Sequence, residues 1–451
     1  MSRATMWLTL DAIRECFEGA IPSLVATCAP DGTPNVTYVS QIHYVDASHV
    51  ALTYQFFSKT RENILANPHA TADVIHPLTG AQYRLALEYL RTETQGPLFE
   101  SMKAKLAGIA SHTGMGGVFR LLGSDVYRVH AIEHVPGKVL PSPQPKRNFL
   151  AALRTTSERL TRCTDFASLL ERTLESLDTL LGIDHAMILM LDARRDQLYT
   201  VASRGYPASG IGSEIPVGVG VVGVAAKEGT PIRISYATAE YAYGRAVRDA
   251  AEKLGMANML EMEIPLPGLA TSGSQLAVPI VTCNHVTGVL YAESPEDRRF
   301  RYEDEDALVA VAAQLGATLH ALQADEREDE APRDANAPAP VAGPPIVVRR
   351  YAANDSVFLG DDYLIKGVAG AIFWKLLRDY ANEGRTEFTN RELRLDPSLR
   401  LPDIHDNLEA RLVLLARRLE ERCGLMRIEK VARGRFRLCV GRPVQLVEVA
   451  G

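Results

Sequence analysis

Phe57, Ser58, Lys59, Thr60, Arg61, Glu62 and Asn63 bring hydroxyls, cations and a helix start into one short stretch. That set suits a phosphate monoester. At a strand-to-helix junction, backbone donors and the helix dipole add to the lysine charge, and each charge-assisted bond contributes about 1.5–3 kcal/mol. Ser58, Lys59 and Thr60 are the candidate phosphate ligands, with Thr53 on the strand before them. A second pattern, Gly218-Val219-Gly220-Val221-Val222-Gly223, has dinucleotide spacing, which requires a buried strand before it and a parallel strand ending in an acid after it. Pro216 interrupts the first context, and Ile232 to Ser235 runs on into Tyr236 with no acid, so a dinucleotide site is not expected. The third set lies near the end of the chain: Asn407 and Arg411 on a helix, then Lys430, Arg433, Arg435 and Arg437 on a hairpin. Cations there attract nucleic-acid phosphates through counterion release, while Asn or Arg side chains read a few bases. Asp403, Asp406 and Glu409 crowd the start of the same helix and oppose the phosphates.

The elements that must position the phosphate turn are mostly strands. Leu24 to Thr27 and Asn35 to Ser40 form a hairpin through Pro30, Asp31, Gly32, Thr33 and Pro34. Val50 to Tyr54, Ala70 to Ile75, Ala81 to Tyr89 and Asp125 to Val129 add strands, with a helix near Leu98 to Ala107. Many short strands with few helices suggest a small barrel over residues 1–140. The turn at Asp31 to Pro34, then Ser58, Lys59, Thr60, Asn63 and Asn67-Pro68, resembles the split-barrel flavin-binding domains related to pyridoxamine phosphate oxidase. The resemblance implies an FMN, its phosphate at Ser58, Lys59 and Thr60 and its ring near Val39 to Gln41 and Thr53, across a dimer interface. Relatives that hold haem, or nothing, are the alternatives. The arginine and histidine pair that holds the oxidase's substrate has no counterpart at the carboxyl end of this domain, so binding is expected before turnover.

Residues 148–323 read differently. Phe166, Leu169, Leu170, Leu174, Leu177, Leu180 and Leu181 recur at helical spacing behind Asp165, and an amphipathic helix of that kind needs a sheet to cover. His185 to Leu191 with Gln197 to Ser203, and Leu276 to Val281 with Thr287 to Glu293, supply two hairpins; a helix from Asp304 to Leu322 closes the unit. With the Gly218 to Gly223 turn, the Gly229-Thr230-Pro231 corner and Gly288-Val289-Leu290, this resembles a GAF domain, an α/β sandwich with a central antiparallel sheet. The resemblance implies a small-ligand or dimerisation module. Phe300, Asp304 and Glu305 echo part of a cyclic-nucleotide signature whose upstream half is absent, and the insertion from Tyr236 to Ser274 is a candidate pocket cover. His185 and His320 are read as satisfied histidines rather than metal or haem ligands.

Residues 324–345 run through acids and then Ala and Pro, which repel or extend and bury too little to fold: a disordered linker. Beyond it, residues 346–442 give two short strands, three helices and a hairpin, the order of a winged helix. Ile404, Leu408, Leu412, Leu415 and Leu419 face the core, leaving Asn407, Arg411, Arg417 and Arg418 on other faces. The run Ile428 to Leu438 resembles the wing of response-regulator domains. From Ile346 onward the chain holds about four more basic than acidic side chains, although all 451 residues together carry a formal charge of -6. Six scattered cysteines without a Cys-x-x-Cys pair point to neither zinc nor secreted disulfides, and no apolar run is long enough for a membrane span, so a reducing cytoplasm is expected. Together these features describe a multidomain α+β chain acting as a dimeric, ligand- or redox-responsive transcriptional regulator. Its rivals are an FMN-dependent oxidoreductase with a regulatory GAF domain and a non-catalytic scaffold.

Overall fold

The computed structural model describes residues 8–39, 41–55, 59–112, 120–142, 147–236, 264–269, 271–325, 343–399, 401, 408–432 and 434–449. Strands β1 (Ser23–Cys28) and β2 (Pro34–Val39) form the first hairpin, with Ser23 opposite Val39 and Cys28 opposite Pro34. Its turn closes because Gly32 takes a φ of 86° and the Thr33 amide donates to Asp31 Oδ1 at 2.9 Å, the local bond that makes Asp a turn residue. Strands β3 (Ile42–Asp46) and β4 (His49–Tyr54), helix α1 (Lys59–Ala66), β5 (His69–Ile75), β6 (Gln82–Glu93), helix α2 (Pro97–His112) and β7 (Gly123–Val135) follow. The seven strands form one sheet in the order β2-β1-β5-β6-β7-β4-β3. Strand β3 was not marked by its sequence, because His43 breaks the apolar alternation; the imidazole is nevertheless inside, at 8% exposure.

The next unit opens with α3 (Phe149–Leu160) and α4 (Phe166–Leu181). Asp165 caps α4 by accepting from the Ser168 amide at 3.0 Å, and Gly182, at φ 57°, ends it in the left-handed conformation. Between them Leu169, Leu170, Leu174, Leu177 and Leu181 are buried, each contributing roughly 1.5–3 kcal/mol of transfer free energy. The helix covers a six-stranded sheet of β8 (His185–Asp192), β9 (Gln197–Arg204), β10 (Glu214–Pro216), β11 (Ile232–Ile234), β12 (Ser274–Thr282) and β13 (His285–Ser294). The order is β10-β9-β8-β13-β12-β11, and every pairing is antiparallel. Helix α5 (Gly220–Glu228) therefore links strands at opposite edges of an antiparallel sheet, which removes the parallel β-α-β context that a dinucleotide loop needs. Helix α5 packs on one face of the sheet, and helix α6 (Tyr302–Asp325) lies beside α4 on the other. It comes close because Gly316 has no side chain; a Cβ there would lie 2.7 Å from the Val281 carbonyl oxygen.

The last unit contains β14 (Ile346–Tyr351), β15 (Ser356–Leu359), β16 (Asp362–Ile365), α7 (Gly367–Glu383), β17 (Glu387–Thr389), α8 (Asn390–Leu395), α9 (Leu408–Arg422), β18 (Met426–Ala432), β19 (Arg435–Val440) and β20 (Val444–Val449). Three helices and the β18–β19 hairpin are present in the expected order, and β17 extends the hairpin to a three-stranded sheet. Strand β20, past the boundary read at 442, pairs in parallel with β14 in a sheet ordered β16-β15-β14-β20. One apolar core runs from Leu177 and Leu315 through Val348 and Phe373 to Leu415 and Leu438, so the tail shares a packed interior with the central unit. The expected linker falls largely outside the described residues, at 326–342.

Candidate functional site

Lys59 opens α1 with its side chain 56% exposed and its ammonium 3.4 Å from Glu62 Oε2. An ion pair this exposed is worth less than about 1 kcal/mol, so an anion can displace Glu62. Thr60 is held from beneath: Asn35 Nδ2 donates to its Oγ1 at 2.8 Å, and Asn63 Nδ2 donates to Thr27 Oγ1 at 3.1 Å in the same polar layer. The Thr60 hydroxyl keeps its own proton to donate. Thr53, on β4, accepts from Gln55 Nε2 at 3.3 Å. Lys59 and Thr60 thus share one helix start, Thr53 lies on the strand leading to it, and Ser58 falls outside the described residues. An ammonium and a hydroxyl donor at a helix amino end fit a phosphate. Arg61 turns inward instead, 2.5 Å from Asp125 Oδ1 and 4.0 Å over the Tyr54 ring.

A second cluster, unrecognised in the sequence, joins the seven-stranded unit to the central one. Arg233, on β11, is 1% exposed and pairs with Glu18 at 2.5 Å and Glu305 at 2.8 Å, while donating to the Phe300 carbonyl at 3.0 Å. The Tyr302 amide donates to the other Glu18 oxygen at 2.8 Å. The Tyr302 ring lies 4.4 Å from the guanidinium carbons of Arg14 and Arg233 and 4.7 Å from Lys105 Nζ. Lys105, buried on α2, reaches His43 Nδ1 at 3.2 Å and the Tyr302 hydroxyl at 3.4 Å. Burial, and then the Arg233 charge, push Lys105 down to about 7. Burial likewise holds His43 well below the ordinary imidazole value, leaving a neutral ring that accepts from Lys105. The members are separated by as many as 291 positions, from Arg14 to Glu305, and Ile232-Arg233-Ile234, an arginine between β-branched residues in a short strand, was the one local hint.

In the central unit, Glu293 is 3% exposed, accepts from the Leu269 amide at 3.1 Å, and is raised by burial. Of the proposed pocket cover, residues 237–263, with Tyr241, Tyr243, Met256, Met259 and Met262, lie outside the described residues. Phe300, Asp304 and Glu305 have structural employment: Phe300 is buried, Asp304 pairs with Arg299 at 2.8 Å, and Glu305 holds Arg233. His185 packs edge-on against Tyr206, and His320 Nε2 is 3.8 Å from Cys283 Sγ. No group of three or more metal-ligating side chains occurs among the described residues. At the glycine turn a polar cavity of about 240 Å³ is lined by Glu100, Lys103, Gly218, Gly220, Lys227 and Glu228, with carboxylates beside both lysines.

The tail cations are not all where their sequence placed them. Arg411 is 3% exposed, 2.8 Å from Asp192 on β8 and 4.1 Å over the Tyr199 ring on β9; a groove-facing position is replaced by an interior one because Asp192 supplies a buried countercharge. Arg417 donates to the Val201 carbonyl at 2.7 Å, and Arg418 to the Leu364 carbonyl at 3.0 Å; burial lowers both arginines. On the hairpin Lys430 is exposed, whereas Arg435 and Arg437 share Glu387 of β17 at 3.3 and 2.6 Å. The Arg437 bond holds Glu387 below its ordinary value. Asn407 and Arg433 fall outside the described residues.

Two family models match the chain: residues 165–319 match the GAF domain, and residues 9–104 match pyridoxamine 5'-phosphate oxidase. No curated protein matches it. Similar solved structures include the GAF domain of a phosphoenolpyruvate-protein phosphotransferase from Acinetobacter, 22% identical over 39% of this chain and 94% of that one, with a TM-score of 0.30. Another is a free methionine-R-sulfoxide reductase from Neisseria meningitidis in complex with its substrate, 21% identical over 41% and 96%, with a TM-score of 0.33. An FMN-binding protein from Syntrophomonas wolfei subsp. wolfei is 18% identical over 28% and 89%, with a TM-score of 0.23. The chain thus carries a GAF domain and, ahead of it, a domain of the pyridoxamine 5'-phosphate oxidase type. No helix among the described residues is long and apolar enough to cross a membrane.

Proposed function

We propose that this protein is a ligand- or redox-responsive transcriptional regulator, in which the oxidase-type domain and the GAF domain sense and a carboxyl-terminal winged helix binds DNA. The observation that carries the reading is the architecture of residues 346–449: three helices leading into a hairpin, in a segment with a basic balance, packed directly on the GAF sheet. Asn407, Lys430, Arg433, Arg435 and Arg437 are its DNA contacts, with Arg411 joining them only once it leaves Asp192. Two copies of the chain would present two half-sites about one helical turn apart.

The sensing side rests on the phosphate turn. Lys59 and Thr60, with Ser58, would hold the phosphate of FMN, and Thr53 would lie beside its ring; the fit is the exposed ammonium and free hydroxyl proton at one helix start. A bound flavin would supply one- or two-electron redox chemistry. The residues of this chain would bind and orient it, and a ligand acts on the tail only if it binds the two arrangements of the chain unequally. Purified protein should show flavin absorbance after incubation with FMN, and should retard fragments of genomic DNA in a salt-sensitive manner. A chain that does neither is not this regulator.

The match of residues 9–104 to pyridoxamine 5'-phosphate oxidase favours a second reading, an FMN-dependent oxidoreductase with a regulatory GAF domain. Turnover of a nicotinamide or amine donor by the flavin-loaded chain would select it.

A further inference from the structure

Helix α9 is enclosed on almost every side: among its fifteen residues only Glu420, Glu421 and Arg422 are exposed. Its own module covers one face, where Leu408, Leu412, Leu415 and Leu419 are buried against α7 and β18. The GAF sheet covers another. There Arg411 meets Asp192 at 2.8 Å, each side chain at most 4% exposed, and lies 4.1 Å over Tyr199; Arg417 donates to the Val201 carbonyl at 2.7 Å; and the Ser209 hydroxyl donates to Glu421 at 2.5 Å. Just before α7, Lys366 reaches Glu214 of β10 at 3.1 Å, a carboxylate it shares with Arg195. Leu414 and Arg418 reach the backbone at Gly212, where a Cβ would lie 3.6 and 3.8 Å from them. A helix inserted in a major groove needs a free face and unpaired cations. Here Arg411, Arg417 and Arg418 are all turned inward onto protein partners.

We propose that the β8–β9 face of the GAF domain and its edge strand β10 form a docking surface for the tail module, with Asp192 holding Arg411 of α9 and Glu214 holding Lys366, cations that would otherwise meet DNA phosphates. The inference rests on the DNA reading above. Carboxylates and phosphates make the same bidentate or single charge-assisted bonds to guanidinium, so the two partners compete for one set of side chains. The described arrangement is the closed one. The latch is weak enough to open because Arg411 and Asp192 were both desolvated to form it; exchanging protein carboxylate for phosphate replaces one charged partner with another at modest net cost.

The test uses the full chain with Asp192→Asn and Glu214→Gln together, against a charge-matched control, Asp73→Asn with Glu133→Gln, which removes two exposed acids from the amino-terminal sheet. Amide hydrogen exchange reads the exposure of α9, and a random-sequence duplex of about 200 base pairs reads DNA binding across salt concentrations. Far-UV circular dichroism and a retained thermal transition verify folding. Release should quicken exchange in α9, tighten duplex binding at least tenfold over both wild type and control, and steepen the salt dependence by about two phosphates, for Arg411 and Lys366. Equal tightening in the control, or tight wild-type binding that the latch variant leaves unchanged, overturns the docking inference while leaving the DNA reading intact. Quickened exchange with no duplex binding by any form overturns the DNA reading, and the competition with it.

Discussion

Replacing Lys105 with methionine should invert its effect on stability between neutral and alkaline pH. The folded protein holds Lys105 at about 7, against an ordinary 10.5, so folding disfavours the ammonium. Below pH 7 both folded and unfolded chains carry the proton, and the full penalty of about 5 kcal/mol applies. Between 7 and 10.5 the unfolded chain binds more protons than the folded one, so wild-type stability rises with pH, by up to about 1.4 kcal/mol per unit. Methionine removes that penalty but leaves His43 Nδ1 without the donor it has at 3.2 Å, a loss of about 1–3 kcal/mol at all pH values. The variant should therefore be more stable than wild type by about 2–4 kcal/mol at pH 6 and less stable at pH 10, with the curves crossing between about pH 8 and pH 10. Calorimetric unfolding of both proteins from pH 6 to pH 10 reads this as a difference, which cancels the titration of groups they share. Parallel curves would mean that Lys105 is solvated or paired more strongly than the cluster geometry requires, and would refute the reasoning.

Other outcomes follow from the same contacts. Arg233→Met leaves Glu18 buried without its countercharge and should destabilise the protein by about 3–5 kcal/mol, read as a lowered thermal midpoint. Its loss also removes a positive neighbour from Lys105, so the alkaline rise in stability should begin at higher pH in this variant. Lys59→Ala should weaken FMN binding about tenfold or more without moving the thermal midpoint by more than a degree or two, because its ion pair is exposed; flavin titration checks both. Gly316→Ala drives a methyl toward the Val281 carbonyl and should cost about 1–3 kcal/mol, with faster amide exchange along α6.

Where chemistry and periodicity agreed locally, the sequence was readable. Asp165 ahead of a leucine-spaced run set the start of α4, and the Asp31 to Pro34 turn set the first hairpin within one residue at each end. The glycine pattern at 218–223 lacks the flanking residues of a dinucleotide loop, and the antiparallel sheet around it supplies no parallel β-α-β unit. What escaped depended on distant partners. Strands β3 and β20 are fixed by pairing with β4 and β14 rather than by their own alternation. Helical spacing placed Arg411 off the leucine face of α9; nothing local revealed that Asp192 and Tyr199 would cover it. The Arg233 cluster draws one or two residues from each of several distant elements, so no window of sequence contains enough of it to be noticed.

Helix α6 starts inside the Arg233 cluster, lies against the Val281 backbone at Gly316, and ends at Asp325. That contact divides it like a seesaw, with arms of about 21 Å toward Tyr302 and about 14 Å toward Asp325. A tilt of about 5° about the pivot lifts one end by about 2 Å and drops the other by about 1 Å, enough to part a hydrogen bond at the first without unfolding a single turn. Strain applied by the amino-terminal domain would thus arrive, reversed in direction, where the chain departs for its last module.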